Sequence, residues 1–150
     1  MPREQWRVET LQTLTHEVQH VKFDTSGRAV PSGVACARST PVAGGSTVDD
    51  ELSELNAIMS EFPPAFDSVT AGTLPASFLT HWFENSIRGG GEDIRGILHA
   101  LRCTCSCSDV DAFVRDTAAF VTSGWSAAQR TAFHTELRKP VWALTWPITP

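Results

Sequence analysis

His16-Glu17-Val18-Gln19-His20 is the stretch of this chain whose residue types and spacing suit chemistry best. Two histidines four residues apart stand on one face of a helix, so both imidazoles can reach one cation. The glutamate between them stands where a metal-activated water needs a base. With five His and nine Glu in 150 residues, chance produces this pattern in roughly 1% of shuffled chains. Two imidazoles do not complete a catalytic zinc site. Such a site takes three protein ligands and leaves one position to water.

The elements that must position these groups follow from the apolar periodicity. The motif helix is expected from about Glu4 to Phe23. Leu11, Leu14, Val18 and Val21 recur at intervals of three and four, a stripe about 80° wide. That stripe is expected to pack on the core, with Glu9, Thr13, His16 and His20 turned to a cleft. Asp24-Thr25-Ser26-Gly27 ends the helix, and Arg28 to Gly45 reads as loop with at most a short strand. Thr47 is the expected N-cap of a second helix, with Asp49, Asp50 and Glu51 in its first turn. Leu52, Leu55, Met59 and Phe62 form its apolar stripe, and Pro63-Pro64 is expected to stop it. Measured from Leu52, the stripe centres at roughly 320° and Glu54 stands at roughly 200°. Glu54 is therefore the expected third ligand, and Glu51, nearer the stripe, the alternative. Further helices are expected from about Pro75 to Arg88, Asp93 to Leu101, Ser108 onward, and Ser126 to Arg138. The Pro- and Trp-rich tail from Lys139 is expected to pack extended. The fold expectation is a mainly α, single small domain over residues 1–150 with little or no sheet.

On these residues the chain resembles the gluzincin group of zinc metallopeptidases. The resemblance rests on His16 to His20 followed by an acidic helix, with Ala57 three residues after Glu54. More narrowly, Leu14 to Asp24 with Glu51 to Pro64 is similar to peptidase-like domains encoded near bacterial contractile injection systems and polymorphic toxins. The resemblance implies a zincin-like active-site helix against a glutamate-bearing helix, with Zn2+ on His16, His20 and Glu54. It implies Glu17 as general base and a protein or peptide as substrate. An association with a contractile injection system is the implied partner. The alternative expectation is a non-catalytic interaction or scaffold module of a toxin-delivery system with a vestigial metal site.

The departures from the family pattern are specific. Many gluzincins carry Asp four residues after the ligand Glu, and Ile58 stands there, so Asp24, Asp49 or Asp50 would have to orient a histidine. The chain has no tyrosine, so His81, His99 or His134 would have to stabilise an oxyanion. No sheet precedes the motif helix. Either the enzyme is minimal, or the chain is the C-terminal part of a larger protein, or the metal site is not hydrolytic. Thr47-Val48-Asp49-Asp50 also resembles the aspzincin pattern with Ser46 in place of Gly, which would make Asp50 the ligand.

The remaining features bound the rest. A net charge of -5 argues against nucleic acid or an anionic membrane as partner. No apolar run approaches a membrane span, and Met1 to Trp6 has no apolar core like that of a signal peptide. The expected location is cytoplasmic, or exported without a cleaved signal. Cys103, Cys105 and Cys107 would point the same way if extended. Reduced thiols are the first expectation. The alternatives are a structural zinc with Cys36 or His99, or a disulfide from Cys36 to one of the three. Glu61 reads as part of an acidic solvent face, Trp82 and Phe83 as core beside a partly buried His81, and Gly89-Gly90-Gly91-Glu92 as a hinge.

Overall fold

The computed structural model describes residues 3–150, so Met1 and Pro2, the start of the segment read for a leader, lie outside it. Seven α-helices follow in order: α1 Arg3–Asp24, α2 Val48–Met59, α3 Phe62–Thr70, α4 Ala76–Arg88, α5 Ile94–Arg102, α6 Cys107–Val121 and α7 Ala127–Leu137. A short 3-10 turn, Pro140–Trp142, opens the tail. Among the described residues no strand forms, only an isolated bridge between Pro41 and Thr47. The molecule is mainly helical, as the periodicity predicts. No described helix is long and apolar enough to cross a membrane.

The helix starts are written locally. Thr47 and Asp50 form a reciprocal capping box at α2, and Ser126 and Gln129 form one at α7; each satisfies two orphan N–H groups. Asp93 caps α5 through Gly96 N–H. Ser106, not Ser108, caps α6. The Pro63-Pro64 pair does not simply stop α2. It falls in the first turn of α3, where missing N–H groups cost nothing because that turn has no partners to donate to. A seventh helix therefore stands where the prolines suggested only an end.

The core gathers around Phe62, which is fully buried. Its ring lies within 5.2–5.8 Å of Phe66, Trp82, Phe83, Trp125 and Phe133. Each such pair is worth about 0.5–1.5 kcal/mol beyond its buried area. Leu52, Leu55, Met59, Ile87, Ile97, Leu98, Leu101, Val110, Phe113 and Val114 complete it.

The main departure concerns α1. Its Leu11-Leu14-Val18-Val21 stripe does not face the core: the four are 40%, 60%, 52% and 62% exposed. Val8, Gln12 and Phe23 are buried instead, on a face rotated away from that stripe. The reason is polar pairing. Gln19 donates to Asn56 Oδ1 at 3.0 Å, and Asn56 donates back to the Gln19 carbonyl at 3.1 Å. Gln12 donates to the Glu61 carbonyl at 3.0 Å. With both histidines also tied to α2 and α3 (below), the polar face is the one that docks. Turning the helix over would leave those groups, Asn56 among them at 0% exposure, without partners.

The long loop before α2 is held to α6 by several ties. Arg28 and Arg38 pair with Asp116 at 2.6 and 3.1 Å. Asp109 accepts from the Ala35 and Cys36 amides. Cys36 and Cys105 form a disulfide across 69 residues of sequence, while Cys103 and Cys107 are free and exposed. This corrects the expectation of reduced thiols at Cys36 and Cys105. The 103–106 segment is a turn between α5 and α6 and Cys107 opens α6, so Cys103, Cys105 and Cys107 do not form an extended run and only Cys105 is buried. Closing a loop of that size restricts the unfolded chain by about 4 kcal/mol.

The tail packs on α7 through Trp146, whose indole N–H donates to Nδ1 of buried His134 at 3.0 Å. That bond needs an unprotonated Nδ1. Burial first, and then the Arg130 charge, push the His134 pKa down to about 4. The unfolded value is about 6.5. The folded state therefore resists protonation that the unfolded state accepts. Stability is fully present above pH 6.5 and falls as pH drops toward 4, by at most about 1.4 kcal/mol per unit from this group. Urea melts at pH 7 and pH 5 should show that loss, and His134→Gln, which keeps an acceptor for Trp146, should reduce it. An equal loss in both proteins overturns the assignment.

Candidate metal centre

α1 and α2 cross so that the two motif histidines meet one carboxylate. Glu54 stands about two turns past the capped start of α2, on the side turned away from Leu52, and faces α1. Its Oε1 lies 3.1 Å from His16 Nε2 and its Oε2 lies 2.9 Å from His20 Nε2. The imidazole centroids are 4.9 Å apart. All three groups are partly buried, and their ligand atoms lie within 4.8 Å of one another. Tetrahedral zinc with ligands at about 2.0–2.1 Å spaces its donors about 3.3 Å apart. The observed spacings fit a cation with only small side-chain adjustments. Two imidazoles and a carboxylate suit zinc and other divalent transition metals alike.

The outward nitrogens of both rings are also engaged. His16 Nδ1 lies 2.6 Å from Glu61 Oε2. His20 Nδ1 lies 2.9 Å from Ser53 Oγ, and the Ser53 hydroxyl donates to Asp24 Oδ1 at 2.8 Å. The one hydroxyl proton goes to Asp24, so Ser53 accepts from His20 Nδ1–H. This places both Nδ1–H groups on acceptors and leaves each Nε2 lone pair for a cation. Oriented, polarised imidazoles of this kind accompany metal ligation.

Glu61 is thus not the solvent-facing acid the sequence suggested. It begins α3, its Oε1 accepts from Trp82 Nε1–H at 3.0 Å, and its neighbour Phe62 anchors the aromatic core. Nothing in the spacing of Glu61 signals this role, because it depends on where α3 turns after α2. Of the aspartates expected to orient a histidine, Asp24 reaches His20 through Ser53. Asp49 pairs with Arg38 at 3.2 Å. Asp50 accepts from the Thr47 amide, and Glu51 accepts from Ser46 Oγ at 2.8 Å. Neither Asp50 nor Glu51 reaches the histidines; of the three ligand candidates Glu54 alone does.

Glu17 is exposed and borders a groove of about 360 Å³ with Glu9, Gln12, Thr13, His16 and Glu61. A second groove of about 390 Å³ shares Glu9 and Gln12 and continues past Gln5, Phe78, His81, Trp82 and Asn85. His81 is the one oxyanion candidate on this path. His134 is bonded to Trp146, and His99 lines a different groove beside α5. Glu92, in the Gly-rich segment before α5, lies within the electrostatic reach of Glu51 and Glu54. Its pKa is raised by desolvation first, then by the charges of Glu51 and Glu54.

Without a cation the site holds a proton. Hydrogen bonds donated by the imidazolium to Glu54 first and Glu61 second raise the His16 pKa to about 10, and His16 in turn lowers that of Glu54. In the metal-free protein this pairing stabilises the fold fully below pH 6.5 and fades as pH climbs toward 10. A cation must displace that proton. Zinc loading at pH 7.5 should release it, and apparent affinity should rise about tenfold per pH unit between pH 7 and 9. Glu61→Gln should move the upper end of that window below pH 10. Calorimetry in buffers of different ionisation enthalpy measures the released proton, and none released would refute the arrangement.

Comparison with models of known protein families, with curated proteins and with solved structures finds no match to this chain.

Proposed function

We propose that His16, His20 and Glu54 hold a zinc ion and that the domain hydrolyses peptide bonds in protein substrates. The observation that carries this reading is the convergence of three ligands from two helices, with the carboxylate of Glu17 one residue beyond the first of them. When bound, the cation supplies a polarised water and polarises the peptide carbonyl.

The chain's own groups supply the rest. Glu17 takes a proton from the water and passes it to the leaving amine. Glu61 and the Ser53–Asp24 pair hold the imidazoles in register. The groove past Gln12 toward His81 offers an elongated path for substrate, and His81 stands in for the absent tyrosine. The resemblance to gluzincins and to peptidase-like domains near contractile injection systems supports the same reading.

A second reading has one observation in its favour. Among the described residues no strand is present, and an extended substrate then has no sheet edge to pair with. On that reading the domain is a non-catalytic interaction module of a toxin-delivery system with a metal-stabilised fold.

Metal content and hydrolysis of an unstructured protein such as casein separate the two. Wild type should bind one zinc per chain and lose activity to a chelator. Glu54→Ala should lose the zinc. Glu17→Gln should retain it and lose about 10²–10⁴-fold in turnover. Tight zinc with no hydrolysis selects the module, and full turnover in Glu17→Gln removes the assigned role.

A further inference from the structure

We propose that the groove between α5 and the tail is a second ligand site, built for a compact dianion of the phosphate type. It is independent of the metal centre. The groove encloses about 500 Å³ and is lined by Arg88, Arg95, Arg102 and His99, with Leu98 and Leu144 as apolar wall. Three of the chain's twelve Lys and Arg residues thus meet in one depression of a protein with net charge -5.

The packing leaves those cations available. Arg95 and Arg102 are seven residues apart on α5 and so share a face. Arg102 donates to the Thr145 carbonyl at 2.6 Å and lies 3.6 Å from Asp111. Arg88 lies over the Trp142 ring at 5.0 Å and reaches the Val141 carbonyl at 3.5 Å. A guanidinium has five N–H donors in a planar fork, so each retains donors after these contacts. Arg95 has no hydrogen-bond or ion-pair partner among the described residues. The one carboxylate in the wall, Asp93, is turned into the backbone, where it accepts from Gly90 and Gly96 N–H at 2.9 and 2.7 Å.

A second observation is the backbone of the opposite wall. Ala143 is the only non-glycine described residue with positive φ, at φ 54 and ψ 35. This left-handed turn carries Ala143, Leu144 and Thr145 back along α5 to form the groove's outer side. Strained turns persist where surrounding contacts hold them, and they cluster at ligand sites. Arg88 and Arg102 hold this one from either end. Guanidinium forks match phosphate oxygens in pairs, with charge-assisted hydrogen bonds.

The test is calorimetric titration of the full, metal-free chain with inorganic pyrophosphate and with phosphate at constant ionic strength. A chelator is present, so no cation at His16, His20 and Glu54 contributes. Saturable one-to-one binding by wild type is expected. Arg95→Gln should weaken it at least about tenfold with an unchanged melting temperature, since Arg95 supports nothing else. Arg102→Gln should weaken it as well. Three results overturn the proposal: no saturation by about 10 mM ligand, unaltered binding in Arg95→Gln, or an equal response to chloride.

Discussion

His16 lies between two carboxylates, Glu54 on one ring nitrogen and Glu61 on the other. This clamp constrains most of what surrounds it. A half-buried imidazole with both nitrogens occupied ties α1 to α2 and, through the turn at Glu61, to α3. Removing either carboxylate leaves one ring nitrogen without a partner in a partly desolvated position, which costs more than the single bond contributes. The neighbouring Gln12, Gln19 and His20 contacts repeat the same logic along the helix, so α1 docks by hydrogen bonds rather than by leucines.

The aromatic core then serves the clamp. Phe62 sits beside Glu61 in sequence and at the centre of five rings in space. Trp82 belongs to both systems: its ring packs on Phe62 at 5.8 Å while its N–H holds Glu61. Rigid packing thereby fixes a carboxylate that would otherwise sample many rotamers. Imidazole orientation is what distinguishes a metal site from a solvated acidic face. The same arrangement stores a proton when no cation is bound. Binding of a cation there would therefore be linked to pH through one residue.

The two grooves divide the molecule by charge. Carboxylates Glu9, Glu17 and Glu61 border the one beside His16, while arginines border the one beside α5. The Cys36–Cys105 disulfide and the arginine pairs on Asp116 secure the loop region between α1 and α2. Helix crossing, not loop position, therefore sets the His16–His20–Glu54 cluster.

The amino-acid order by itself determined the Thr47-capped start of α2, the mainly helical class and the histidine pair on one helix face, because these depend on neighbours within a turn. It also singled out Glu54, since a helical wheel places that side chain away from Leu52 and Leu55. It did not determine which side of α1 turns inward. Leu11, Leu14, Val18 and Val21 carry the apolar signal that normally faces a core, yet the partners for Gln12, Gln19 and both histidines lie on other helices, invisible to local periodicity. For the same reason Glu61 read as solvent, Pro63 and Pro64 as an end rather than a start, and the partner of Cys36 stayed open among three cysteines. Each of these was decided by groups distant in sequence that meet only when the helices pack.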